Sequence, residues 1–182
     1  EQANRGEGLV TPDDGGISTS DKGTERGDVT SEIQSQSPEL NPSEAQKEAG
    51  NYKKAHINVQ GFDITIENPK GSTRSGIDQN GREWSNTLQN HYGYFKRTKG
   101  KDGDQIDVFV GDNTESNTIF VVDQNNPETS QFDESKIMLG FDTAEQAKEA
   151  YMSNYEAGWK GFGAITPVSV EDFKKWLYDG AR

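Results

Sequence analysis

Three carboxylates fall within six residues in Asp102-Gly103-Asp104-Gln105-Ile106-Asp107, and the last of them opens an apolar run, Val108-Phe109-Val110. Carboxylates this close repel one another unless a cation sits among them, and hard divalent ions such as Mg²⁺ take oxygen ligands of this kind. A metal site is the functional reading. The same composition also suits a solvated Asp-Gly turn ahead of a strand. An EF-hand loop is excluded: counting from Asp102, Ile106, Asp107 and Asn113 stand where an oxygen ligand, a glycine and a glutamate are needed. Directly upstream lie His91-Tyr92-Gly93-Tyr94-Phe95 and the cations Lys96, Arg97, Lys99 and Lys101. This juxtaposition is either charge balance on one surface or an anionic substrate held beside metals. A second cationic stretch, Asn68 to Gly76, offers Lys70, Arg74, hydroxyls and two glycines, and it suits either a phosphate cradle or a plain polar connection.

Short strands must position these residues. Ile57 and Val59, then Phe62, Ile64 and Ile66, alternate with polar residues about Gln60-Gly61, which predicts two strands joined by a tight turn with Glu67 at the end of the second. Asp78-Gln79-Asn80-Gly81 predicts another turn, returning through Arg82-Glu83-Trp84. Thr118 to Asp123 and Ile137 to Phe141 read as further strands. Asp142 or Thr143 caps a helix through Ala147, Ala150, Tyr151 and Tyr155, and Ser169 starts a last helix that buries Phe173, Trp176 and Leu177. Strands first, helices last and no βαβ alternation predict an α+β domain with a small, curved or barrel-like sheet.

At 182 residues there is room for one ordinary domain and a tail. Residues 1 to 50 contain no aromatic side chain and are rich in Gly, Ser, Thr, Glu and Asp, so they read as a disordered acidic linker. A short helix capped by Ser43 is expected at its end. The folded domain is expected over 51–182. A net charge of −12 opposes nucleic-acid binding, and the acidic triplet inside the basic patch opposes it further. The chain has no cysteine and no apolar run long enough to span a bilayer, so a cytoplasmic setting without membrane contact is expected. Because it begins at Glu1 rather than Met, it is expected to be either a piece of a longer polypeptide, tethered to other domains, or a processed or trimmed chain.

The Tyr92-Gly93-Tyr94-Phe95 segment followed by Asp102-Gly103-Asp104-Gln105-Ile106-Asp107-Val108 resembles the signature of the soluble family I inorganic pyrophosphatases. The wider pattern from Lys54 to Leu177 is similar to the pyrophosphatase-like domains inside large polyvalent proteins of phages and other mobile elements. The resemblance implies a five-stranded OB-like barrel with helices packed on it, and Mg²⁺-dependent hydrolysis of pyrophosphate or a related phosphoanhydride. It implies metal binding by Asp102, Asp107, Asp123, Glu134 and Glu67, with Asp104 orienting or deprotonating the attacking water. Tyr92, Arg74, Lys136 and Tyr155 would contact phosphate, and Arg82 and Lys160 are the nearest matches to two further family cations.

The sequence also departs from the pattern. Gln105 replaces the usual proline or acid, Glu134-Ser135-Lys136 has glutamate where the family has aspartate, and Tyr155 is followed by Glu156 rather than lysine. Loss of phosphate-binding cations weakens substrate affinity before it removes metal binding. Two classes of function therefore stand side by side: a phosphoanhydride hydrolase, and a non-catalytic phosphate- or metal-binding module of a larger protein.

Overall fold

The computed structural model describes residues 28–100 and 103–178. Gln60 and Gly61 both adopt positive φ, and this turn geometry matches the right-handed twist of the strands it joins. It links β1 (Ala55–Val59) to β2 (Phe62–Asn68), whose alternating pattern buries Ile57, Val59, Phe62, Ile64 and Ile66 as the sequence predicts. A hairpin of β3 (Thr73–Ile77) and β4 (Glu83–Thr87) follows, turning at Asp78 to Gly81. Next come β5 (His91–Phe95), β6 (Asp107–Val110), β7 (Thr118–Asn125) and β8 (Phe132–Leu139). The chain ends through helix α3 (Ala144–Ser153), strand β9 (Phe162–Ser169) and helix α4 (Val170–Tyr178). Two short helices, α1 (Thr30–Ser35) and α2 (Glu44–Ala49), precede β1.

Seven strands form one sheet in the order β9-β7-β8-β6-β5-β2-β1, with every neighbour antiparallel except β6 and β8; β3 and β4 stand apart as a two-stranded ribbon. The α+β class holds, but the five-stranded closed barrel is not found. No ladder joins β1 to β9 among the described residues. The sheet nevertheless coils strongly. The Gln60 side-chain amide donates to the carbonyls of Thr114 and Ser116, at 2.8 and 2.9 Å, at the head of a strand four positions away in the sheet. Strand β9 was not foreseen; its exposed and half-buried residues carry no clear alternation.

Each face of the sheet carries its own core. On one face α4 packs Phe173 against Phe62 and Phe95, with ring centroids 5.5 Å away in both cases. On the other, α3 lays Ala147 and Tyr151 over Phe109, Phe120, Val122 and Met138. Thr143 caps α3 by accepting from the Gln146 N–H, and Ser43 caps α2 in a reciprocal box with Gln46.

The expected linker ends earlier than its composition suggests. Ile33 of α1 is fully buried in the first core together with Val29, a burial that stabilises by about 2 kcal/mol. The Gln36 side chain binds the His56 backbone of β1 through both its groups, donating to the carbonyl at 2.7 Å and accepting from the N–H at 2.8 Å. The remainder of that expectation, residues 1–27, lies outside the described residues.

Candidate active site

Strand β5 fixes the floor of the site. Phe95 faces the first core while Tyr92 joins the second, as alternation requires. Between Tyr92 and Tyr94 only glycine fits, because a Cβ on Gly93 would overlap the Thr65 carbonyl of the adjoining strand. The glycine of the Tyr-Gly-Tyr segment is thus dictated by the close approach of β2 and β5. In the next two strands Asp107 of β6 lies beside Tyr94 on one side and Lys136 of β8 on the other.

The three side chains meet. Lys136 Nζ donates to Asp107 Oδ2 at 2.6 Å and to the Tyr92 hydroxyl at 2.7 Å, and that hydroxyl donates to the same Asp107 oxygen at 2.8 Å. Glu134 Oε1 lies 3.3 Å from the ammonium, which is only 3 % exposed. Burial alone would lower the pKa of Lys136, but Tyr92, Tyr155, Asp107 and Glu134 hold it well above the ordinary lysine value. The pKa values of the two glutamates are raised as well, which favours their neutral forms. Glu134 is raised by burial and by Asp107, against the pull of Lys136; Glu67, on β2, is raised by burial and by Asp107, against Lys54, Arg74 and Lys136. Burial pushes Tyr92 up to about 12, so its hydroxyl keeps its proton.

The β3–β4 ribbon supplies the roof. Arg74 places its guanidinium 4.5 Å from the Tyr92 ring centroid and 5.6 Å from that of Trp84. Burial alone would lower the pKa of Arg74, yet the two site tyrosines, Asp107 and Glu67 keep it above its usual value. Trp84 pairs with Gly76 across the ribbon, and a Cβ there would strike the indole. At the ribbon's tip Asn80 donates to Glu128 of the β7–β8 loop at 2.9 Å. Beneath the roof is a cavity of about 510 Å³ whose walls include Arg74, Arg82, Glu134, Lys136, Tyr155 and Lys160, all chosen from the sequence.

A polar chain closes the far wall. Trp159 Nε1 donates to the Tyr151 hydroxyl at 2.9 Å; Tyr151 and Tyr155 both donate to Gln124 Oε1, at 2.6 and 3.0 Å. Gln124 Nε2 in turn donates to Glu134 at 3.4 Å. Sequence reasoning passed over Gln124, Tyr151, Trp84 and Trp159. The Asn-Gly signal would have misled for Trp84: a two-residue turn at Asn80-Gly81 sets Ser85 against Gly76, whereas the turn holds three residues and sets Trp84 there.

Among the described residues the expected convergence of carboxylates is not found. Phe120, Val122 and Gln124 share the face of the site, so Asp123 projects from the opposite face of β7. Asp104 is exposed in the turn ahead of β6, where Gly103 provides the bend at φ +90 and the Asp104 carbonyl accepts from Gly100. Asp102 lies outside the described residues. Among the described residues no three His, Asp or Glu side chains form a ready metal centre. The oxygen donors that remain, Glu67, Asp107 and Glu134, nonetheless suit a hard divalent ion chemically, since burial and then Asp107 push each glutamate up in pKa, and a cation would relieve the repulsion from Asp107.

The family model described as Inorganic Pyrophosphatase matches residues 44–178. No curated protein and no solved structure matches the chain. Among the described residues no helix is long and apolar enough to cross a membrane.

Proposed function

The chain belongs to the inorganic pyrophosphatase family, and from that membership we propose that it hydrolyses pyrophosphate or a related phosphoanhydride to phosphate with Mg²⁺. The observation that carries the proposal is the buried Lys136–Tyr92–Asp107 cluster beneath Arg74, opening on a cavity large enough for the substrate. Pyrophosphate repels nucleophiles through its own charge, so its hydrolysis depends on positioned cations and in-line geometry more than on covalent help. Arg74 and Lys136 supply permanent positive charge, Tyr92 and Tyr155 supply protonated hydroxyls, and Arg82 and Lys160 stand at the wall as further cations. Asp107 and Glu67, with Asp102 and Glu134, would hold Mg²⁺, which when bound neutralises phosphate oxygens and activates water. By likeness of motif, and although it lies exposed in the turn ahead of β6, Asp104 would take the proton of the attacking water. The five-stranded barrel of the family remains the finer reading of the coiled sheet, supported by the Gln60 bridge across it. A place inside a larger polyvalent protein of a phage or mobile element, in the host cytoplasm, belongs to the same proposal and is motivated by the motif likeness.

A second reading draws on a different observation. Asp107 Oδ2 is already held by two donors, and no group of three acidic or His side chains forms a ready metal centre among the described residues, which suits a non-catalytic module that binds phosphate. Phosphate release from pyrophosphate with Mg²⁺ separates the two. Asp104→Asn is expected to abolish turnover while metal binding persists, since an amide cannot accept the proton. Asp107→Asn is expected to weaken metal affinity. Binding of pyrophosphate without any release of phosphate would establish the module.

A further inference from the structure

The cavity is built for more than two phosphates, and we propose that its substrate is a nucleoside polyphosphate, with the nucleoside against Trp84 and the phosphates at Arg74 and Lys136. The proposal rests on the hydrolase reading of the same site. At about 510 Å³ the cavity falls in the range of pockets that enclose whole organic ligands rather than small inorganic anions. Its walls carry as many carboxylates as cations, together with Trp84, Trp159, Tyr155 and Pro127. A bare polyanion gains nothing from indole surface, and a wall of balanced charge gives it little net attraction. A ligand with a charged end and a flat, uncharged end uses both.

The arrangement of Trp84 supplies the second end. This indole belongs to neither core cluster, so burial in the core does not account for it. Trp159, by contrast, is stacked on Tyr155 with centroids 4.6 Å apart and is bonded to Tyr151. Trp84 is half-buried over Gly76, a position where any Cβ would push the ring away, so the ribbon is shaped to seat it. Arg74 joins the two ends: its guanidinium lies over Tyr92, the partner of Lys136, and also beside the Trp84 ring. A phosphate held by Arg74 therefore leaves the next part of the ligand at the indole. Bases stack on aromatic side chains with a gain of about tenfold to a hundredfold in binding, whatever their identity.

In the reaction, water oxygen bonds to one phosphorus of an anhydride as the bond from that phosphorus to the bridging oxygen breaks. The electron pair leaves with the bridging oxygen on the departing phosphate, and the water proton passes to a carboxylate. The test compares ATP with tripolyphosphate, which has the same run of three phosphates and no nucleoside, in the full chain with Mg²⁺. The expected kcat/KM for ATP exceeds that for tripolyphosphate by about tenfold or more, and Trp84→Ala lowers the ATP value about tenfold to a hundredfold more than the tripolyphosphate value. Trp84→Phe, which keeps a stacking face, is expected to retain most of the preference and guards against misfolding of the alanine variant. Equal use of ATP and tripolyphosphate, or an equal loss for both in Trp84→Ala, overturns the proposal while leaving pyrophosphate hydrolysis standing. If ATP, tripolyphosphate and pyrophosphate, assayed alongside, are all left intact, the hydrolase reading fails instead. Calorimetry with a non-hydrolysable ATP analogue then decides the pocket: binding that Trp84→Ala loses supports it, and no binding overturns it.

Discussion

Replacing Lys136 with methionine keeps most of the side-chain volume and removes the charge that three site groups share. Asp107 and Glu134 lie 2.6 and 3.3 Å from the ammonium, and Lys136 itself is 3 % exposed. Removing one partner of such a buried pair costs about 3–5 kcal/mol, because the other charge is left without compensation. The Asp107 and Glu134 side chains are 22 % and 25 % exposed, so water relieves part of that cost and the low end, about 3 kcal/mol, is expected. The loss should also depend on pH in a defined direction. The Glu134 pKa is already raised in the folded state, and without the pull of Lys136 it rises further. A carboxylate with a raised folded pKa contributes stability below its unfolded value of about 4.3, and the contribution disappears as pH climbs through the folded value. The deficit of Lys136→Met is therefore expected to be small at pH 4 and to grow toward pH 8. Urea unfolding followed by tryptophan fluorescence at the two pH values measures it. Adding Asp107→Asn to the variant should recover about 1 kcal/mol or more, since the orphaned charge is then gone. A deficit below about 1 kcal/mol at pH 8, or one unchanged with pH, would refute the account of Lys136 as the shared counter-ion.

Gly93→Ala is expected to destabilise by about 3 kcal/mol or more, seen as a large drop in Tm, because the new methyl meets backbone rather than a movable side chain. Ile33→Ala is expected to cost about 2–5 kcal/mol in denaturant unfolding, where a residue in a loose linker would cost almost nothing. His91 accepts the Lys70 N–H at Nδ1, so its proton sits on Nε2 and donates to Thr30. Burial, and then Lys70, lowers its pKa against Asp28 and Asp112. Its NMR titration should fall below that of a free histidine. Its depressed pKa contributes stability that is present above about pH 6.5 and lost as pH falls through the folded value, so His91→Gln should flatten that acid limb.

What the sequence disclosed followed how strongly each face was marked. In β1 and β2 the apolar residues alternate cleanly with polar ones, and the strands and the turn between them are where the pattern puts them. In β7 both faces are apolar, with Ile119 and Val121 on one and Phe120 and Val122 on the other, so nothing in the pattern tells which face the next polar residue joins. Asp123 was assigned to the site by likeness of motif, and the pattern held nothing to point to Gln124 instead. The expected phosphate contacts were easier. Arg74, Lys136 and Tyr155 were chosen by likeness of motif, and they line one cavity because hairpin, strand and helix end meet there. Helix α1 was invisible for the opposite reason: one isoleucine and one valine in a polar stretch carry no period, although their burial is nearly complete.

The side-chain amide of Gln36 has a consequence beyond local packing. β1 is an outer strand, and an outer strand offers its free N–H and C=O groups as a template on which another chain can build. At His56, in the body of β1, both groups are occupied by one glutamine that imitates a peptide unit. A stretch whose composition suggests a mere tether thus blocks growth of the sheet, and a chain trimmed to residue 50 would keep its catalytic groups yet gain an adhesive edge. Preparations of the domain cut at the compositional boundary should therefore self-associate with concentration, whereas those that retain Gln36 should not.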